Sequence, residues 1–376
     1  MSPSPAADPA ADPAVDPAAD PVVDWVAAAQ VAGRLARPGP SATRADVDSV
    51  VTGLRSAATD AVDHVLAVTR LRPVHPGPDG RLLGAVHVVD RARWAHANTQ
   101  VMQAMTAPVA EALGPESGVP TSAAGRLVGA AEVGALLAVL STRVLGQFDP
   151  YAGPGRLLLV APNVLTVERA LDLDPDDFRL WVCLHEQTHA LQFAAAPWLA
   201  DHLQDRVGAL LRDVTATSVG LARAPLRRKV ATLGRAVVGI VSGAVRGEVS
   251  PLDVMLEPRQ RRELEEITAV MALLEGHADV MMDAVGPGVV PSVATIRRRF
   301  ERRRDGQGAP AFDVALRRLL GMDAKLAQYR DGAAFVRAVE QQVGRDGLNA
   351  VWASPGNLPS AREISDARAW VRRVHG

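Results

Sequence analysis

The chain has 376 residues, 48% of them hydrophobic, with 41 Lys+Arg against 42 Asp+Glu and a formal net charge of −1. That length suits one large domain or two, and that composition supplies ample material for a core. The even charge balance gives no electrostatic case for a nucleic-acid partner.

Ala, Val, Leu and Arg dominate while aromatics make up only 4%, which favours helix. Cys183 is the single cysteine, so no intramolecular disulfide can form. The chain opens without a charged segment leading into an apolar one, the mark of a secretory signal. The longest nearly uncharged apolar run, residues 236–245, is too short to span a bilayer. These features together predict a cytoplasmic protein with no membrane partner.

Residues 1–23 read as a disordered tail rich in Asp, Pro and Ala. Asp8, Asp12, Asp16, Asp20 and Asp24 recur every fourth residue, and a proline follows each of the first four. Proline at that density blocks helix, and the tail has no large side chains to bury. The rest, residues 24–376, reads as one mainly helical domain.

Asp24 can cap a helix over residues 25–35, which stops at Pro38-Gly39-Pro40. Ser41 or Thr43 caps the next helix, residues 45–69. Val47, Val51, Leu54, Ala58, Val62 and Leu66 give that helix its apolar stripe. Residues 83–89 alternate and hold Val86, Val88 and Val89, as a short strand does. Asp90-Arg91 then opens a helix to about Met105, with Trp94 and Asn98 one turn apart and read as packing. A small-residue helix follows over residues 124–145. Gly146-Gln147-Phe148-Asp149-Pro150-Tyr151 reads as a turn-rich connection, and Arg156-Leu157-Leu158-Leu159-Val160 as a strand.

The informative stretch comes next. Asp174 can cap a helix with Pro175 at its first position and Asp176 and Asp177 in its first turn. That helix carries His185-Glu186-Gln187-Thr188-His189, an H-E-x-x-H pattern. Histidines four apart lie one turn apart on one face, so both imidazoles can reach one metal ion. Glu186 then points toward the open position of that metal, where it can take a proton from water. Zn2+ suits two neutral imidazoles plus a carboxylate. Phe178, Val182, His185, His189, Gln192 and Ala196 share one stripe, so the histidines have apolar neighbours.

The third ligand is sought in Leu273-Leu274-Glu275-Gly276-His277-Ala278-Asp279. Leu264, Ile267, Met271, Leu274, Ala278 and Met282 form the apolar stripe of a helix over residues 259–282. Glu275 falls on that stripe, whereas His277 points about 200° away from it. A carboxylate there is costly without a cation, which favours Glu275 over His277 as ligand.

With these residues in hand the chain resembles the gluzincin branch of the zincin metallopeptidases, which follow H-E-x-x-H with a helical E-x-x-x-D. The resemblance implies Glu275 as third zinc ligand and Asp279 as the partner that orients His185. The wider pattern is similar to a group of actinobacterial zincin-like proteins linked to zinc-dependent proteolysis or to biosynthesis of a deazaflavin coenzyme. It rests on Val89-Asp90-Arg91 with Trp94 and Asn98, on residues 146–150, on the two metal segments and on Asn357-Leu358-Pro359. The implied fold is zincin-like, mainly α with a small β-sheet. The implied activity is hydrolysis of a peptide or small amide by zinc-activated water. A zinc-binding scaffold and an amidohydrolase of a small metabolite are the rival readings.

In zincins an edge strand lies beside the active-site helix and can pair with an extended substrate, and residues 156–160 are either that strand or an ordinary buried one. The long stretch between His189 and Glu275 holds a helix over residues 198–214, a basic turn at 223–229 and an apolar helix at 230–245, a possible lid. Beyond the second metal helix, Arg297-Arg298-Arg299 and Arg302-Arg303-Arg304 read as a solvated helix face. Two further helices are expected over residues 316–329 and 332–343. Residues 351–359 read as irregular, and Ser360 caps a last helix to Val374.

Deleting residues 1–23 should leave the melting temperature nearly unchanged. A drop of many degrees in thermal unfolding would show that the tail docks on the fold.

Overall fold

The computed structural model describes residues 23–75, 83–112, 122–153, 155–223, 256–304 and 322–376. The tail through residue 22, the basic turn after Arg223, the apolar helix at 230–245 and the first part of the helix expected from 316 lie outside the described residues.

Two capped helices start the chain. Asp24 accepts from the Ala27 amide at the head of α1 (Trp25–Leu35). Thr43 and Asp46 form a reciprocal capping box at the head of α2 (Arg44–Thr69). The buried stripe of α2 is Val50, Leu54, Ala57, Ala58, Ala61, Val65 and Thr69, so the expected pattern is rotated and Val47 is exposed. Strand β1 (Ala85–Val89) leads into α3 (Arg91–Ala112), which is followed by α4 (Ala123–Leu140). Strands β2 (Gly146–Asp149) and β3 (Arg156–Val160) complete one small sheet.

The sheet order is β1-β3-β2, with β1 parallel and β2 antiparallel to β3. This decides one open reading and corrects one expectation. Of the two readings of residues 156–160 the buried strand holds: they form the central strand, with a near-continuous Leu/Val run buried on both faces. The segment expected to be a turn contains the edge strand β2, which the polar Gln147 and Asp149 disguise. Both have internal partners: Gln147 donates to Asn98, and Asp149 holds Arg156 at 2.9 Å. Trp94 and Asn98 are buried, and the Asn98 amide donates to the Trp94 carbonyl as packing residues do.

Next come α5 (Ala161–Ala170) and α6 (Pro175–Ala195), the latter capped by Asp174. Helix α6 is the axis of the core. It buries residues on every side, from Phe178 and Trp181 to Leu191 and Gln192. Small residues of α2 let the two helices close together, and the Gln187 amide donates to the Ala58 carbonyl between them. Arg179 is buried and paired with buried Glu168 of α5 through two nitrogens, at 3.0 and 3.1 Å. Helix α7 (Trp198–Arg223) follows.

The C-terminal part supplies α8 (Pro258–Ala284), α9 (Val293–Arg304), α10 (Met322–Leu348), α11 (Ala361–Ser365) and α12 (Ala367–His375). The second part of the two helices expected at 316–343 is one described helix running on to Leu348, with a break at Gly344 (φ 72°). The last helix is split at Asp366 (φ −129°), which caps α12. The basic run on α9 is not a uniformly solvated face. Arg297 is largely covered and bridges Asp279 at 2.7 Å and Asp283 at 2.7 Å, while lying over the Trp181 ring. Arg299 donates to the Leu171 and Asp172 carbonyls.

One described helix, α4, has the length and apolar composition of a membrane span, a longer such run than the 230–245 region suggests. Only 22% of it is buried, and Leu127, Val128, Leu136 and Val139 stay exposed.

Helices α8 and α10 meet backbone to backbone. A Cβ on Gly276 would sit 2.2 Å from the Gly332 carbonyl carbon, and one on Gly332 would sit 1.9 Å from the Ala272 oxygen. Replacing a helical glycine by alanine ordinarily stabilises by about 1 kcal/mol. Here the added methyl must push the helices apart, at about 1–3 kcal/mol. Gly332→Ala should therefore lower stability in urea unfolding, and a gain would refute the close contact.

Candidate metal centre

Helix α6 brings His185 and His189 to its α8-facing side and sets Glu186 against Gly146 of β2, and α8 brings Glu275. Helical periodicity places the two imidazoles one above the other. Their Nε2 atoms lie 3.1 Å apart. Glu275 spans them, with Oε2 at 3.5 Å from His185 Nε2 and Oε1 at 3.7 Å from His189 Nε2. All three donor sets fall within 4.8 Å of one another.

These separations fit a metal better than a hydrogen-bonded cluster. The carboxylate contacts are long for charge-assisted hydrogen bonds. Donors bound tetrahedrally to zinc at its usual bond lengths lie about 3.3 Å apart. The observed 3.1, 3.5 and 3.7 Å straddle that value. The side chains keep 24%, 13% and 30% exposure in the order His185, His189, Glu275, so the cluster is largely but not wholly covered.

Sequence reasoning favours Glu275 over His277, and in the structure it is Glu275 that lies within reach of both imidazoles. His277 is fully buried behind the Gln192 amide, which stands between it and His189, and packs edge-on against Trp352. Burial pushes its imidazole down to about 3, helped by Arg345 and His189, so it is neutral. The apolar stripe expected around Glu275 is looser than the pattern suggests, since Met271 is exposed.

Asp279 lies one turn beyond Glu275, but its Oδ1 accepts from Arg297. It acts on His185 through charge. Burial pulls the His185 imidazolium down, and Glu275, then Glu186 and Asp279, more than offset this, so its pKa ends raised. His189 ends lowered, chiefly by burial. Glu186 is buried, and burial pushes its carboxyl up to about 7; His185 pulls it down and Glu275 pushes it up. A carboxyl poised near neutrality is suited to taking and returning a proton.

Three further residues shape the site, and of these sequence periodicity marks only Gln192. Gly146 of β2 abuts the base: a Cβ there would lie 2.6 Å from Glu186 Cγ. Gln192 binds His189 Nδ1 through Oε1 at 2.9 Å. Arg297 ties Asp279 and Asp283 to Trp181 of α6. The one signal available was position: Gly146 opens a quoted motif, and Gln192 shares the histidine stripe.

Residues 23–371 match the profile of the zincin-like metallopeptidase family. The chain belongs to the zincin-like metallopeptidases. A crystal structure described as "a putative hydrolase with a novel fold from Chloroflexus aurantiacus" is similar at 29% identity and a TM-score of 0.61. The match covers 94% of this chain and 98% of that one. No curated protein matches the chain.

The raised Glu186 value has a thermodynamic consequence in the metal-free protein. Above the ordinary value of 4.5 the unfolded chain has released this proton, while the folded chain keeps it up to about 7. Folding then takes up a proton, and stability falls as pH rises through that window. The stability of the wild type relative to Glu186→Gln should decline from pH 4.5 to 7, by no more than about 3 kcal/mol. Urea unfolding of both proteins across that range measures it; a flat difference would mean an ordinary carboxyl.

Proposed function

We propose that this zincin-like protein is a zinc-dependent hydrolase that cleaves a peptide or amide bond. The observation that carries the reading is the convergence of His185, His189 and Glu275 beside the buried carboxyl of Glu186. In this reading the first three hold zinc. Bound there, zinc would act as a Lewis acid that polarises a carbonyl and acidifies water. Glu186 serves as general base and then returns its proton to the leaving amine. A purely structural metal site has no use for such a group. Asp279 biases His185 through its negative charge, and Arg297 holds Asp279 in place.

The peptide reading draws support from β2. Val160 donates to the Leu145 carbonyl, which fixes the parity of the antiparallel ladder. The main-chain groups of Gln147 and Asp149 therefore face β3, and those of Gly146 and Phe148 face away from it. Among the described residues no strand covers that outer edge. An extended segment pairing there would run past Glu186, which touches Gly146. The cytoplasm is our assignment of place, resting on a lone, buried cysteine, Cys183.

About one zinc per chain should remain after gentle purification. Glu186→Ala should keep that zinc and lose turnover by about 10²–10⁴-fold, while Glu275→Ala should lose zinc. A peptide library and a metabolite panel including deazaflavin precursors, each run with and without chelator, test the substrate class. Chelator-sensitive turnover confined to the metabolites would overturn the peptide reading, and a protein that cannot be loaded with zinc would overturn the hydrolase reading.

A further inference from the structure

Gln192 is fully buried on α6, one turn beyond His189, and every polar atom of its amide has a partner. Nε2 lies 3.0 Å from the Leu274 carbonyl oxygen and 3.0 Å from His277 Nδ1. Oε1 lies 2.9 Å from His189 Nδ1. A carbonyl oxygen can only accept, so the atom facing Leu274 must be the NH2 group. That settles the orientation of the amide without reference to either histidine.

The rest follows in order. With Oε1 facing His189, the partner atom Nδ1 must carry a proton. A neutral imidazole has one N–H, so His189 Nε2 is left with its lone pair. That lone pair is the one directed at His185 Nε2 and Glu275. The second amide hydrogen goes to His277 Nδ1, which must accept and is therefore unprotonated. His277 then carries its proton on Nε2, which has no hydrogen-bond partner among the described residues and packs against Trp352.

We infer that Gln192 is a positioning residue that fixes His189 in the Nδ1–H tautomer, keeping Nε2 free to bind the metal, and that it takes its own orientation from the Leu274 carbonyl, with His277 as a second anchor. The inference rests on His189 being a zinc ligand only for its consequence, not for the tautomer itself. Leu274 immediately precedes Glu275, so the same bond that orients Gln192 also ties α6 to the helix that brings the carboxylate. The metal-free site is thus arranged for binding from both helices at once.

The test is long-range 1H–15N NMR of histidine rings in the metal-free full chain, with His189 assigned by its loss in His189→Phe. The wild type should show His189 protonated at Nδ1. Gln192→Leu removes the acceptor and should shift His189 toward the Nε2–H form and weaken zinc binding about 10–100-fold in chelator competition. Gln192→Glu loses the Leu274 bond but keeps an acceptor, so it should retain the Nδ1–H form. His277→Phe leaves the Leu274 bond in place and should leave the His189 tautomer unchanged. Nε2–H His189 in the wild type, or a Gln192→Leu protein with wild-type tautomer and affinity, overturns the inference. If the wild type shows the Nδ1–H form yet binds no zinc, the tautomer assignment stands and the zinc reading fails.

Discussion

Everything at this site turns on placing two carboxylates beside two imidazoles where little water reaches. Glu186 is buried and Glu275 is partly so, and each raises the proton affinity of the other or of the histidine between them. Such a cluster is unfavourable by itself, because burial and the neighbouring Glu275 make Glu186 costly to ionise. A divalent cation among the donors would relieve that conflict. Arg297 cannot do so, since its guanidinium is committed to Asp279 and Asp283. The packing holds α6 and α8 where the His185, His189 and Glu275 donors converge.

Three contacts set the separation of α6 and α8. The Gln192 amide joins α6 to the α8 carbonyl of Leu274. Arg297 joins both helices to α9, through Asp279 and Asp283 on one side and the Trp181 ring on the other. The glycine contact with α10 works from behind: Gly276 sits between Glu275 and His277, and Gly332 lies against Ala272. Because α8 is pressed on α10 without any intervening side chain, a methyl at either glycine is transmitted to the neighbouring Glu275. Stability and metal geometry are therefore coupled on this helix, and a packing change of about an ångström there would also spoil the donor separations.

How much of this was legible follows from what periodicity can report. It reports which residues share a face. Asp174, Pro175 and the H-E-x-x-H pattern located α6, and helical periodicity set Glu275 and His277 in different directions on α8. Periodicity does not report what lies opposite a face. His277 differs in direction from Glu275 yet is also buried, between Gln192 of α6 and Trp352, which the pattern on α8 alone does not show. Arg297 opens the first of two arginine triplets, 297–299 and 302–304, and looks solvated; only the fold supplies Asp279, Asp283 and Trp181. Strand β2 is too short and polar to show alternation, and its character comes from pairing with β3. The role of Gln192 is invisible for the same reason, since it is set by a carbonyl on another helix.

Gly146 joins these threads. Its missing side chain lets the edge strand lie against the base, with a virtual Cβ only 2.9 Å from Glu186 Oε1. Its main-chain groups, by the parity of the ladder, face the edge of the strand on which no other strand pairs among the described residues. The sheet face that packs on α6 also includes Phe148, whose ring lies 5.6 Å from that of Phe193 and anchors the strand one turn of α6 beyond His189. The strand is thus pinned at one end by an aromatic contact and at the other by the absence of a side chain. A larger residue at 146 would lift that end of the strand and shift the Glu186 carboxyl together, without touching any metal-donor atom. Strand and base therefore occupy a fixed relation to each other.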